Sequence, residues 1–300
     1  MDIQWPLLIF SVLLGVTSGC FVFLGVGEIK GKFKDVRFLG ALIAFVCLAV
    51  GGCVSVLHMG HPERATHLLG NLGSGLSKEL FTVAIMGIVS LVYLVLAKKD
   101  YPGASKVFGI IGAVLGLVLP VVAGASYLIA ARPAWDSFTL PLMFLGSGLG
   151  IGMTLMAALV VLRGKADEAA FAVKLALVGV VAMVVLSLAY VAWIAMAPYQ
   201  AESRSIGRLI SGDLALAFWL GVVVVGLALP VALTLVAMKS VGKSTELSAP
   251  KNLAGYLFAA CACSVVGAVV LRIIMYGQVD CSVRSTCPEP EKRGTALGQS

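Results

Sequence analysis

Three histidines and one carboxylate carry the chemistry that this sequence offers. They fall in His58-Met59-Gly60-His61-Pro62-Glu63-Arg64-Ala65-Thr66-His67 and, further on, in Leu76-Ser77-Lys78-Glu79. An imidazole and a carboxylate at a membrane border can accept protons from, and hydrogen-bond, a bound hydroquinone. Each also has a plain structural use. His58 ends an apolar run, where the helix dipole favours a C-terminal imidazole. Glu79 opens the next run, where a first-turn carboxylate with Ser77 as N-cap is equally natural. His61 and His67 read as loop histidines. No cysteine or carboxylate spacing completes a metal site around them. All three histidines sit within one loop, so they cannot face each other across helices as axial ligands, and an embedded bis-histidine haem is not expected.

A second charged group is Arg272, five residues before Gly277 in the last apolar run. Its sequence position suggests a side chain that snorkels to the membrane surface, with a structural ion pair as a variant. The functional alternative is a charge partner for a quinone oxygen or for a docked subunit. Of seven cysteines, Cys20, Cys47, Cys53, Cys261 and Cys263 lie in apolar runs and read as small apolar residues. Cys281 and Cys287 lie in the C-terminal tail and would form a small disulfide loop if that tail meets an oxidising space. No C-x-x-C-H haem attachment signal is present.

The elements that position these groups follow from composition. The protein has 300 residues, 60% hydrophobic and 12% charged, with mean hydropathy +1.02. That is too little charge to cover a water-facing surface. The net charge of +7 does not indicate nucleic acid, because the basic residues are spread over short loops instead of forming one patch. Eight runs reach the ~20 apolar residues that cross a bilayer. They are Trp5–Gly27, Phe38–His58, Leu80–Leu96, Val107–Ala131, Phe138–Leu162, Phe171–Ala197, Leu214–Met238 and Leu253–Gly277. The expected fold is therefore an all-α integral membrane protein of eight transmembrane helices, with the third the shortest. Pro120 and Pro230 should kink helices four and seven. The start, Met1 to Trp5, carries no positive charge and reads as a retained helix, not a cleaved signal.

Loop charges set the expected orientation. The odd-numbered loops carry Lys30, Lys32, Lys34 and Arg37, then Lys98, Lys99 and Lys106, then Arg163, Lys165 and Lys174, then Lys239, Lys243 and Lys251. The even loops and tail carry fewer: Arg64, Lys78, Arg132, Arg204, Arg208, Arg284, Lys292 and Arg293. The positive-inside rule places the odd loops in the cytoplasm and both termini outside. Pro6-Leu7 and Leu14-Gly15 recur as Pro141-Leu142 and Leu149-Gly150, which suggests two four-helix bundles. The expected division is a membrane domain 1–276, with halves 1–137 and 138–276, and an outward tail 277–300. No nucleotide loop or dinucleotide fingerprint is found. Any redox or hydrolytic domain that acts with this protein is expected on another polypeptide.

Several stretches resemble the membrane anchor subunit of bacterial dimethyl sulfoxide reductases. Trp5-Pro6-Leu7-Leu8-Ile9-Phe10 resembles that family's opening. Leu57-His58-Met59-Gly60 with Pro62 and Arg64-Ala65 resembles its L-H-L-G-x-P-x-R-A segment, and Leu76-Ser77-Lys78-Glu79 its L-S-x-E segment. Pro133-Ala134-Trp135, and Arg272 with Tyr276-Gly277, fit as well. The resemblance implies an eight-helix anchor in the bacterial cytoplasmic membrane, with outward termini. Its partners would be an iron–sulfur subunit and a molybdopterin catalytic subunit, which hold those cofactors. It implies oxidation of menaquinol drawn from the membrane pool, with His58 and Glu79 at the quinol. Arg64 is then expected to tune that pair or touch the iron–sulfur subunit, His61 and Arg272 to contact partner or quinol, and loops 59–79 and 198–212 to dock the partner. The sequence departs from the family at His61 and Glu63, in a His58-to-Glu79 spacing one residue short, at Ala268 where an acid is expected, and in its cysteine-bearing tail. A purely structural anchor without a quinone site and a small-molecule transporter are the competing readings. Midplane charges and broken helices would favour the transporter.

Overall fold

The protein is described by a computed structural model covering residues 3–58, 73–129, 135–163, 166–196, 206–243 and 250–284. Among these residues there are eight long helices and no strand. They are α1 (Trp5–Lys30), α2 (Arg37–His58), α3 (Gly75–Lys98), α4 (Pro102–Ala125), α5 (Thr139–Leu162), α6 (Ala166–Met196), α7 and α8 (Pro250–Arg284). The seventh, α7, is wound as a π-helix over Ala217–Ala228 and continues as an α-helix over Leu229–Lys243. Each of the eight is long and apolar enough to span a bilayer.

Burial ranks the helices. In α1, 83% of the apolar span is buried within the protein, and in α5, 78%; no other span exceeds 44%. α1 and α5 therefore form the central pair and the other six face lipid on one side. The pair meets along small residues. A Cβ on Gly148 would lie 2.9 Å from the Cα of Gly15, and one on Gly152 would lie 2.5 Å from the Cα of Gly19. Only hydrogen fits between the backbones, and in lipid such close packing replaces the missing hydrophobic drive. Buried hydroxyls add interhelical bonds: Thr17 Oγ1 donates to Ala44 O (2.9 Å), and Ser18 Oγ donates to Gly116 O. One apolar core runs through both halves of the molecule, and a second fills the space among α5, α6, α7 and α8.

Local chemistry explains where the helices differ from the sequence expectation. α3 is 24 residues long, as long as α4 and α5, and is not the shortest helix. Its cap is Ser74 instead of Ser77: the Ser74 Oγ accepts from the Ser77 N–H at 3.1 Å. This moves Glu79 out of the first turn. α4 starts at Pro102, where the missing N–H costs nothing at a first helical position, and ends six residues earlier than the apolar run suggests. In α7 Pro230 offers no N–H to the carbonyl of Gly226, and its ring crowds that turn. The widened π segment immediately precedes it. α8 runs past Gly277 to Arg284, so the tail begins as helix.

At the end of the bundle opposite the N-terminus lies a charged group that the sequence reading missed. Arg37 counted there as a loop cation. It is 5% exposed and opens α2 with its guanidinium on Glu28, itself 5% exposed. Arg37 Nε lies 2.7 Å from Oε1, and Nη2 donates to Oε2 at 3.0 Å. Tyr93 of α3 donates its hydroxyl to the same Oε1 at 2.8 Å. Three helices are thus pinned by one desolvated ion pair.

Candidate functional site

At the N-terminal end of the bundle, a cavity of about 370 Å³ opens among α1, α2, α3, the end of α4 and α8. Its walls are Gln4 just before α1, Leu7 and Phe10 of α1, Ser55 of α2, Leu76 and Glu79 of α3, Ser126, Tyr127 and Ile129 after α4, then Trp135 and Tyr276. This volume suits a small-molecule ligand or a headgroup.

Among the described residues Glu79 is the cavity's one charged wall residue, and it is 7% exposed. Ser126 Oγ lies 2.8 Å from Glu79 Oε2 and 2.7 Å from the carbonyl of Ala123. A hydroxyl has a single proton, so two arrangements fit one geometry. With Glu79 ionised, Ser126 donates to the carboxylate. With Glu79 protonated, the acid donates to Ser126, which donates to Ala123 O. The carboxyl can gain or lose a proton without moving its partner, as a proton acceptor requires. Among the described residues no cation is paired with Glu79.

An aromatic wall faces it. Tyr127 and Trp135 meet edge to face at 5.8 Å between centroids, and Trp135 and Tyr276 at 5.5 Å. The Trp135 indole N–H donates to Met275 O at 3.0 Å, fixing the ring against α8. The Tyr276 hydroxyl lies 3.4 Å from that of Tyr127. Burial, and next the neighbouring Tyr276 hydroxyl, push the Tyr127 phenol well above its ordinary value. It is a neutral hydrogen-bonding group at physiological pH. Tyr127 was not singled out from the sequence, and Trp135 and Tyr276 entered only through the resemblance.

Arg272 departs from the snorkelling expectation. It is 1% exposed, one turn below Tyr276 on α8. Its Nε donates to Ser11 Oγ (2.8 Å), Nη2 to Ser147 Oγ (3.2 Å) and Nη1 to Ala268 O (3.1 Å), and the guanidinium lies 4.4 Å over the Phe144 ring. The side chain points into the α1–α5–α8 junction because two serines and an aromatic face receive it there. No carboxylate pairs with it among the described residues, so the expected structural ion pair is absent there.

The protein belongs to the DMSO reductase anchor subunit (DmsC) family. The family's sequence pattern matches residues 1–203. Among similar proteins, the C subunit of the anaerobic dimethyl sulfoxide reductase of Escherichia coli (strain K12) is 30% identical over 159 residues, 49% of this sequence and 55% of that protein. The YnfH subunit of an anaerobic dimethyl sulfoxide reductase of the same organism is 31% identical over 162 residues, 52% of this sequence and 57% of that protein. The corresponding C subunit from Haemophilus influenzae is 26% identical over 192 residues, 60% of this sequence and 69% of that protein. The matched stretch thus spans little more than half of the two Escherichia coli relatives.

As a member of this anchor family with eight spanning helices, the protein is a multi-pass protein of the cytoplasmic membrane. The other expected site residues are placed as follows. His58 is the last residue of α2, one turn beyond the cavity-lining Ser55, and its side chain lies outside the described residues. His61, Arg64 and His67 lie outside the described residues, as does Cys287. Cys281 is on the last turns of α8, with its side chain likewise outside. Cys20, Cys47, Cys53, Cys261 and Cys263 are free thiols. Among the described residues no cluster of metal-ligating side chains occurs.

Proposed function

We propose that this anchor subunit binds menaquinol in the Glu79 cavity, oxidises it, and delivers the electrons to an iron–sulfur subunit that it holds together with a molybdopterin catalytic subunit. The observation that carries the proposal is Glu79: a buried carboxyl on the wall of a ring-sized cavity, able to exist in both protonation states against Ser126. The names of the relatives, subunits of anaerobic dimethyl sulfoxide reductases, support the class of complex.

The chemistry follows from the walls. Quinol oxidation releases two protons and two electrons. Glu79 takes one proton from a quinol hydroxyl, and His58, at the neighbouring end of α2, takes the other. The aromatic wall of Tyr127, Trp135 and Tyr276 packs the ring, and the Tyr127 phenol holds the second oxygen as a neutral donor. Arg64 and His61 act at the rim, next to the docked partner. Arg272, buried one turn deeper, supplies positive potential at the inner end of the cavity. The electrons pass to the partner's cluster, so the anchor needs no redox group of its own. The positive-inside distribution supports an orientation with the cavity and both termini outside, where protons leave directly to water. Loops 59–79 and 198–212 would then dock the iron–sulfur subunit.

The test is Glu79→Gln in the assembled complex. The proposal requires quinol-dependent reduction to fall by at least about a hundredfold, the size of a typical acid–base contribution, while the complex remains membrane-bound. Unchanged quinol oxidation by the Gln variant would leave a purely structural anchor.

A further inference from the structure

The Glu79 cavity is walled by α1, by the residues after α4 and by Trp135 and Tyr276, and on its remaining side by α2 and α3. α1 is the most buried span of the protein, and Trp135 and Tyr276 are packed against each other. α2 and α3 are different: only 28% and 22% of their spans are buried. Between them runs an apolar groove of about 560 Å³, walled by Phe45, Leu48, Gly52 and Val56 of α2 and by Val83 and Gly87 of α3.

On both helices the lining of the groove begins within about one turn of the lining of the cavity. On α3, Glu79, Val83 and Gly87 follow at four-residue steps and share one helix face. On α2, Ser55 lines the cavity, with Gly52 and Leu48 one and two turns further into the membrane. From Ser55 to Phe45 the groove descends roughly 15 Å, at 1.5 Å per residue. Its glycines are not demanded by packing. A Cβ on Gly52 would meet no atom within 4 Å, and one on Gly87 would meet only Leu48 Cδ2, at 3.8 Å. At the α1–α5 seam, by contrast, the same atom would collide with backbone. The space at Gly52 is left open.

Resting on the reading that a quinol head lies against Glu79, we propose that the α2–α3 groove holds the polyprenyl tail of that quinol and is the passage by which the head enters and leaves. A quinol drawn from the membrane carries its tail on the ring. A ring inside a walled cavity needs a slot through which the tail reaches lipid. The α2–α3 seam supplies that slot on the side where Glu79 sits, and its walls are apolar along the whole depth. Lipid tails are as apolar as these walls, so the groove works by shape and access more than by affinity.

The test compares two quinols in membranes that contain the intact complex: menaquinol with its polyprenyl tail, and 2-methylnaphthoquinol without one. Gly52→Trp places a bulky ring in the groove at a position where a Cβ meets no atom within 4 Å. Gly255→Trp, at a second glycine with open space around it, controls for a bulky residue on a spanning helix. The proposal expects Gly52→Trp to raise KM for menaquinol about tenfold or more, with KM for the tailless quinol unchanged and Gly255→Trp like wild type. Equal KM changes for both quinols, or none, overturn the groove assignment and leave the Glu79 reading standing. Failure of that reading is seen separately, as wild-type oxidation of both quinols by Glu79→Gln. A measurement on the wild-type protein avoids any folding defect: menaquinol with a photoreactive group on its tail should label α2 and α3 peptides, and unlabelled menaquinol should compete. Label on other helices, or label that only phospholipid displaces, refutes the proposal.

Discussion

Replacing Glu28 with Gln should destabilise the helix bundle by about 3–5 kcal/mol, the cost of leaving one member of a buried ion pair without its counter-charge. The structure sets this size. The Glu28 side chain is 2% exposed and that of Arg37 6%, so water cannot replace the lost carboxylate. Gln keeps one acceptor oxygen, so Arg37 keeps at most one of its two contacts, 2.7 Å to Oε1 and 3.0 Å to Oε2, both without the counter-charge, and Tyr93 loses an ionised acceptor. At an effective dielectric of ~20 a close pair is worth ~4 kcal/mol, within the same range. Asp100, 3.6 Å from Arg37 but 83% exposed, provides the contrast: Asp100→Asn should cost under about 1 kcal/mol. The assay is reversible chemical unfolding in mixed micelles for Glu28→Gln, Arg37→Met and the double variant. The double variant should be less destabilised than the sum of the singles by about 2 kcal/mol or more, because it removes both charges together. If Glu28→Gln and Asp100→Asn cost the same small amount, the pair behaves as a surface pair and the reasoning is wrong.

Other consequences are equally open to measurement. Gly152→Leu should lower the stability by at least about 1–3 kcal/mol in the same assay, because the new side chain meets the Gly19 backbone, which cannot rotate away. Arg272→Lys keeps the charge but cannot reach Ser11, Ser147 and Ala268 with one planar fork, so it should lower thermal stability and slow quinol oxidation, with Arg272→Met worse in both. The Arg208 hydrogen bonds hold the exposed Asp213 carboxyl below its ordinary value of 3.8, and Arg208 also donates to Gly277 O at 3.1 Å. A depressed carboxylate stabilises above its unfolded value and loses that contribution as pH falls through the folded value. Amide protection factors over 206–214, corrected for intrinsic exchange, should therefore fall only below about pH 4, and Asp213→Asn should abolish this acid step.

What could be read in advance divides along physical lines. The eight spans needed only local composition, since a bilayer demands a long apolar run wherever a helix crosses it. Their ends depended on caps. Ser74 and Ser77 are both good N-cap residues, and nothing local says which of them caps the helix. Glu79 was legible as an ionisable group at a membrane border. Its partner Ser126 and the facing Tyr127 were not, because they arrive from just beyond the end of α4 and meet Trp135, before α5, and Tyr276, on α8, only in the fold. The same non-locality misplaced two cations. Arg272 looks like a snorkelling residue until Ser11, 261 positions away, and Ser147, 125 positions away, are seen to receive it. Arg37 looks like an orientation signal, and Glu28 like a loop acid, until the turn between α1 and α2 folds them together. The π winding of α7 had a local cause in Pro230, but a kink is the ordinary expectation there and the widened helix is not.

The most direct test of the account is a binding titration of a naphthoquinol-site inhibitor to the purified complex, followed through Trp135 quenching or ligand fluorescence. The account predicts one saturable site per anchor subunit, weakened at least about tenfold by Glu79→Gln and by Ser126→Ala and unaffected by Asp100→Asn. Stoichiometric binding of wild-type strength in the Glu79→Gln complex would contradict it.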